Sequence, residues 1–288
     1  GTVGYNNVGG LGLAFGSNVI DETRLSGNAA LSYDLGPGMA YASVSNSYKS
    51  GGFNGEVQNN ATHFTDEGLF DAESVTAYEL GYKARATDTL SWSVAAFWQD
   101  YDAPQARIFV NFPLPDGSSI TSNSLSNLDA ATVRGAEGEV TWQPASGLTL
   151  NAGLTLLDTG IDQVTDIGGN AATFDGNPLP FAPDVSATLG GRYAFALTQG
   201  VDASLAAHAK YRGDYYLDPE GLETRMQAGF TTLQAEAAFT FTGTGLSLTV
   251  WGRNLTDEDY ALSGYGFIGY NTFRSDPRTY GLRLDYSF

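Results

Sequence analysis

The feature that most constrains this chain is a rhythm of connections. Eleven segments of alternating apolar and polar residues are joined by links that switch strictly between short and long. The short links are residues 35–38, 86–89, 144–147, 197–200 and 243–245, built mostly from Gly, Pro, Ser and Thr. Such residues set tight turns. The long links run over about 50–72, 102–130, 159–183, 213–229 and 257–276. Antiparallel strands joined this way place every short turn at one end of a sheet and every long loop at the other. That is the pattern of an outer-membrane β-barrel. Five long connections in a soluble domain of this size would count against the strand assignment.

The segments themselves agree. Strands are expected at about 24–34, 39–49, 73–85, 90–101, 131–143, 148–158, 184–196, 201–212, 230–242, 246–256 and 277–288. In 201–212 one face reads Val201, Ala203, Leu205, Ala207, Ala209 and Tyr211, and the other Asp202, Ser204, Ala206, His208, Lys210 and Arg212. A period of two is the signal of a strand with unlike faces. The segments are near the roughly 9 to 11 residues of a tilted membrane strand, whereas ordinary strands have about five or six. The faces of 39–49 and 90–101 stay ambiguous. Tyr33, Tyr82, Trp92, Trp142, Tyr193, Tyr211 and Tyr286 fall near strand ends, as interfacial aromatics do.

Composition narrows the function classes. No run approaches the ~18 to 20 apolar residues of a membrane helix, and mean hydropathy is −0.17. A barrel shows only alternate apolar residues and passes unseen by that test. Cysteine is absent and histidine occurs twice, which removes disulfides and thiolate sites and leaves little for zinc. A net charge of −18 disfavours nucleic-acid partners. The five long links hold eighteen Asp or Glu but three basic residues, Arg107, Arg225 and Arg274. Solvated loop charge is the expectation there, ahead of a Ca²⁺ site at Asp257–Asp259 or between Asp214 and Glu223. No metal site is assigned.

An odd strand count carries an expectation of its own. Bacterial single-chain barrels close with an even number, and an open edge in lipid would leave backbone groups unpaired. With the last strand ending on the short-turn side, residues 1–23 fall in an outer connection. Further strands are then expected upstream. A twelfth strand within 1–16 is the alternative.

Five stretches carry a family resemblance: Tyr48-Lys-Ser-Gly-Gly-Phe-Asn54, Glu73-Ser-Val-Thr-Ala-Tyr-Glu-Leu-Gly-Tyr-Lys83, Gly135-Ala-Glu-Gly-Glu139, Trp251-Gly-Arg-Asn-Leu-Thr-Asp-Glu-Asp-Tyr260 and Tyr280-Gly-Leu-Arg-Leu-Asp-Tyr-Ser-Phe288. In this order they resemble the C-terminal barrel region of TonB-dependent receptors, the siderophore-receptor-like branch above all. The resemblance implies an all-β, antiparallel, up-and-down transmembrane barrel of 22 strands, with about 11 in residues 1–288. It implies an N-terminal plug domain and first strands outside this chain; neither a plug nor a TonB box is visible in it. It implies an outer-membrane location in a Gram-negative bacterium, contact with lipid and lipopolysaccharide, and coupling to TonB, ExbB and ExbD. The implied cargo is a scarce nutrient such as a ferric siderophore.

Candidate residues fall into three groups. Lys49, Gly51, Gly52 and Phe53 sit at the expected outer rim and are candidates for ligand contact, although glycines at a strand end also serve to bend the chain. Glu79, Lys83, Glu137, Glu139, Arg192, His208, Lys210, Arg253 and Arg283 fall on faces expected to line the lumen. Salt bridges between neighbouring strands or to the plug are their expected role. Leu282, Leu284, Tyr286 and Phe288 resemble the terminal signal read by the barrel-assembly machinery. Asn254-Leu-Thr256 reads as a strand-to-loop cap. Glu137 and Glu139 share one strand and cannot flank a substrate as a glycosidase pair must. With no nucleophile triad or phosphate loop, no enzyme and no cofactor are expected. The competing readings are a passive porin-type barrel, separated by the absence of a plug, and a secreted β-rich binding protein, which would need a polar exterior.

Overall fold

The computed structural model describes residues 2–3, 18–54, 69–113, 119–164, 174–267 and 269–288. Eleven strands form one antiparallel sheet in chain order. We label them β1 (Gly27–Leu35), β2 (Gly38–Lys49), β3 (Glu73–Thr87), β4 (Leu90–Asp102), β5 (Ala130–Ala145), β6 (Leu148–Gln163), β7 (Val185–Thr198), β8 (Val201–Arg212), β9 (Phe230–Phe241), β10 (Leu246–Arg253) and β11 (Thr279–Tyr286). Each expected strand is present. The turns after β1 and β5 carry Gly36 at φ 63° and Gly147 at φ 76°, a backbone region in which a side chain would be strained.

Register settles which residues share a face, because directly paired residues point the same way. One face carries Leu31, Val44, Tyr78, Leu80, Val94, Trp98, Trp142, Leu154, Leu189, Leu205, Val250 and Leu282. These side chains lie open; Leu31 is 76% exposed and Leu189 63%. A soluble sheet hides such a face in a core. The ambiguity in β2 and β4 is resolved by their neighbours: Ala40, Ala42 and Val44 join the apolar face, as do Trp92, Val94, Ala96 and Trp98. The extent also fits. The ten steps from Val201 to Tyr211 cover about 33 Å, which a strand tilt of about 40° reduces to roughly 25 Å, the height of a barrel's apolar band.

The buried clusters are elsewhere. Ile108, Leu128, Ile161 and Phe174 form one, and Tyr215, Leu217, Phe230 and Ala261 another. Nearly all these residues belong to the long connections. Those connections are more structured than their sequence suggests. Gln105–Pro113 pairs with Ser119–Asn127, and Ala261–Phe267 with Gly269–Arg274. Gly52–Phe53 pairs with Leu69–Phe70, and Tyr215–Tyr216 with Met226–Gln227.

Three boundaries differ from the sequence expectation by three residues or more. β1 starts at Gly27 rather than 24. β6 continues to Gln163, its outer end paired with β5. β10 stops at Arg253, not 256, because Asn254 takes φ 48° and its side chain closes a turn. Asn254 Nδ2 donates to the Glu258 carbonyl at 2.8 Å, and Oδ1 accepts the Glu258 N–H at 2.9 Å. The expected cap is therefore formed. Near the start, Thr2–Val3 pairs with Asn18–Val19; most of the alternative strand within 1–16 lies outside the described residues.

Candidate functional site

The polar face of the sheet and the collar of connections above it are the candidate site. All nine residues expected on the lumen wall share the polar face. Glu79 and Lys83 stand on β3, Glu137 and Glu139 on β5, Arg192 on β7, His208 and Lys210 on β8, Arg253 on β10 and Arg283 on β11. The register links them through neighbours: Glu137 pairs with Ala95, which pairs with Gly81, two residues from Glu79.

Cross-strand salt bridges among them do not form within the described residues. Arg283 pairs with Asp285 of its own strand, Nε to Oδ2 at 3.0 Å. The register explains this. Glu79 faces Ser43 and Phe97, and Lys83 faces Met39 and Ser93, so neither meets an opposite charge directly. Instead the Tyr41 hydroxyl donates to Glu79 Oε1 at 2.5 Å, and the Lys83 ammonium sits 5.0 Å from the centre of the Tyr41 ring.

Three aromatic side chains on this face were not singled out from sequence. Tyr41, Phe97 and Trp251 each lie across a glycine of the next strand. A Cβ on Gly81 would meet the Tyr41 ring at 2.5 Å, one on Gly135 the Phe97 ring at 2.7 Å, and one on Gly281 the Trp251 ring at 2.6 Å. Each ring thus fills the space that a side chain on the facing glycine would need.

At the rim, the four candidate ligand residues meet a packing demand. A Cβ on Gly51 would lie 2.6 Å from the Phe70 carbonyl oxygen, and one on Gly52 would strike the Phe70 ring. Gly52 and Phe53 pair with Phe70 and Leu69, and Lys49 lies opposite Glu73 at the top of β2. The glycines are thus accounted for by close approach to Phe70.

Side-chain amides then tie neighbouring connections together. Asn54 Nδ2 donates to the Leu125 carbonyl at 2.7 Å, and its Oδ1 accepts the Leu125 N–H at 2.9 Å. Asn127 accepts the Asp71 N–H at 2.7 Å and donates to the carbonyls of Asp71 and Ala103. Farther round, Asn177 donates to the Pro219 carbonyl, the Phe181 N–H to the Tyr216 carbonyl, and the Tyr215 hydroxyl to the Ala261 carbonyl. Arg225 holds Asp218 at 3.1 Å and also Glu220, and lies 4.8 Å from the Tyr270 ring centre. Burial pushes the Glu220 carboxyl above its ordinary range, against the pull of Arg225. Burial likewise raises the Tyr270 phenol, with Asp218 adding to the effect. At the exposed surface the hydrogen bond from Arg274 lowers the Asp259 carboxyl. None of these contacts is visible as a sequence motif, since most of them join residues far apart in the chain.

The terminal strand keeps its apolar residues to one face. Tyr280, Leu282, Leu284 and Tyr286 continue the apolar face across to Leu246, Leu248 and Val250. Phe288 is fully exposed, its ring 5.8 Å from that of Tyr286.

Residues 2–255 match the family described as TonB dependent receptor-like, beta-barrel. The fold resembles the ferric yersiniabactin uptake receptor FyuA from Yersinia pestis, with a TM-score of 0.73 and 22% identity over 91% of this chain and 37% of that one. It also resembles BauA, the ferric preacinetobactin receptor from Acinetobacter baumannii, with a TM-score of 0.65 and 20% identity over 91% of this chain and 36% of that one. The copper transporter OprC gives 0.64 and 18% over 91% and 39%. The chain spans little more than a third of the length of these structures. At such identities the likeness is one of fold.

Proposed function

The chain belongs to the TonB-dependent receptor-like β-barrel family, and from that membership we propose that it forms the C-terminal part of the wall of an outer-membrane receptor for energised nutrient uptake. The observation that carries the proposal is the division of one eleven-stranded sheet into an open apolar face and a charged polar face. An apolar outside suits lipid, and a polar inside suits an aqueous or protein-filled lumen. In this reading the nine polar-face residues line the lumen, the connections form the outer mouth, and Lys49, Gly51, Gly52 and Phe53 belong to its rim.

A plug domain and the remaining strands upstream would complete a barrel of 22 strands. TonB, with ExbB and ExbD, would act through that plug. The barrel-assembly machinery would read the terminal strand ending in Phe288, and lipid with lipopolysaccharide would surround the apolar face. Ferric siderophores are the first cargo to try, since the similar structures include the siderophore receptor PiuA and the ferric yersiniabactin and ferric preacinetobactin receptors FyuA and BauA; the copper transporter OprC makes copper the second.

The test is uptake by cells carrying the natural gene, during metal limitation, with labelled ferric siderophores. Uptake should vanish on deleting either the gene or TonB. Uptake that survives loss of TonB would instead indicate a passive pore.

A further inference from the structure

The collar has two buried cores, and among the described residues no buried apolar side chain belongs to both. Ile108, Leu128, Ile161 and Phe174 hold the connections 102–130 and 159–183 together. Asn54 and Asn127 add 50–72 to that body through Leu125 and Asp71. Tyr215, Leu217, Phe230 and Ala261 hold 213–229 to 257–276. Gln227 strengthens that second body, its Oε1 accepting the Ala261 N–H at 2.8 Å.

Between the two bodies runs the strap Asn177-Pro-Leu-Pro-Phe-Ala-Pro183. Its contacts with 213–221 are polar or half-exposed. Asn177 Nδ2 donates to the Pro219 carbonyl at 3.0 Å, with the side chain set against Gly221, where a Cβ would lie 2.8 Å from Asn177 Cγ. The Phe181 N–H donates to the Tyr216 carbonyl at 2.9 Å. Phe181 is 41% exposed, and its ring centre lies 5.9 Å from that of Tyr215. Arg212, at the outer end of β8, donates to the Phe181 carbonyl at 3.1 Å. Below this seam β7 and β8 are joined at the opposite, short-turn end, so no covalent connection bridges it.

Three prolines stiffen the strap. Each fixes its own φ near −65°, and each keeps the residue before it out of the helical region. Pro178, Pro180 and Pro183 thereby restrict Asn177, Leu179 and Ala182 as well. Phe181 alone in the strap is neither a proline nor the residue before one. It is also the strap residue with a positive φ, 59°. A bulky side chain rarely takes that conformation and keeps it where its surroundings impose it. Here those surroundings are the seam's own contacts, to Tyr216 and Arg212. Separation of the bodies removes the first of them and lets Phe181 relax.

We propose that the outer collar is two separately stable bodies that part along this seam, with Phe181 as the hinge of the strap between them. Leu179 packs on the first core, whereas two residues beyond Pro183 the Val185 carbonyl accepts the Gly213 N–H at 2.8 Å. Residue 181 is therefore where the strap passes from one body to the other. Two such bodies are expected of this collar whatever the barrel transports.

The test is hydrogen exchange, read by mass spectrometry on the natural full-length protein in detergent and corrected for intrinsic rates. Leu128→Ala takes a buried side chain out of the first core, and Leu217→Ala out of the second. A core truncation of this kind speeds exchange in its own cooperative unit about thirtyfold or more. Leu128→Ala should do so in 105–113 and 119–127 and leave 213–229 and 261–274 within about twofold, and Leu217→Ala should do the reverse. Equal acceleration on both sides by either variant, or acceleration on neither side, would overturn the two-body collar. Should an alanine variant not assemble, Ile108→Val and Tyr215→Phe make the same comparison in smaller steps of about twofold or more. The hinge is read over 178–183 in Phe181→Ala and Phe181→Gly, which both lack the ring. Glycine takes a positive φ without strain, so the glycine variant should hold the seam closed and exchange about threefold more slowly than the alanine variant. Equal exchange, or faster exchange with glycine, would mean that residue 181 keeps its conformation when the bodies part, and would remove it as the hinge.

Discussion

Replacing Leu205 with Arg tests whether the apolar face meets lipid. Leu205 lies on that face of β8, paired with Tyr193 and Ala237. It is 48% exposed. Four residues separate it from Val201 at the short-turn end, about 13 Å along the strand. A tilt of about 40° makes that roughly 10 Å of depth, close to the middle of a band about 25 Å tall. An Arg at that depth costs about 2–4 kcal/mol in lipid, a shift of about 30- to 1,000-fold in the folding equilibrium. The same change on a water-exposed sheet face stays within about 0.5 kcal/mol. Ala206, one residue on, points to the polar face, and Ala206→Arg is the matched control. The assay is reversible folding of the full-length protein into lipid vesicles across a urea gradient. Leu205→Arg should lower stability by the larger amount and Ala206→Arg by little. Equal effects of both substitutions would refute a lipid-facing side.

Three further outcomes follow from named contacts. Gly281→Val places carbon atoms against the Trp251 ring, which already lies 2.6 Å from an added Cβ; overpacking of this kind costs about 1–3 kcal/mol, and the same folding assay should show it together with a changed Trp fluorescence. Glu220 should make the collar pH-sensitive: its folded pKa is raised, chiefly by burial, so its stabilisation is present below the ordinary value of 4.5 and is lost as pH rises through the raised one. Amide protection over 213–229, corrected for intrinsic exchange, should fall across that range in the natural protein and stay level in Glu220→Gln; a fall of equal size in both would exclude Glu220 as the cause. Deleting Phe288 should reduce insertion into the outer membrane, read as barrel content of membrane fractions, and unchanged levels would remove its assembly role.

The strands were legible because a barrel wall repeats one local rule: alternate residues must be apolar, and each hairpin needs a turn. β2 and β4 blurred that rule for a physical reason. Tyr41 and Phe97 stand on the polar face, where alternation predicts small or polar residues, and each is accommodated by a glycine on the neighbouring strand, Gly81 or Gly135. Only pairing reveals that arrangement. The collar was illegible for a different reason. Asn54, Asn127, Gln105 and Asn177 bind backbone groups in other connections, and such contacts leave no period in the sequence. The nine wall residues were assigned to one face by alternation, but their partners were not. Cross-strand neighbours depend on register, and the register sets Ser, Phe and Met opposite Glu79 and Lys83.

The location of the buried clusters follows from the same division of faces. Inside the band that we place in lipid, the sheet's apolar side chains need no protein partners, and its backbone groups are paired strand to strand. Above that band there is water on both sides of the chain. Connections of this length must then either stay open or bury apolar surface of their own. Ile108, Leu128, Ile161 and Phe174 do this for one pair of connections, and Tyr215, Leu217, Phe230 and Ala261 for another. The intervening hydrogen bonds, from the Gln105 amide to the Ser50 carbonyl at one end to the Tyr215 hydroxyl on the Ala261 carbonyl at the other, link the collar's connections. The wall is thus fixed by register and lipid, the collar by its own small cores. An upper mouth built in this way is joined to the wall through such a core, because Tyr260 of the last connection stacks 4.0 Å from the ring centre of the buried Phe230 at the start of β9.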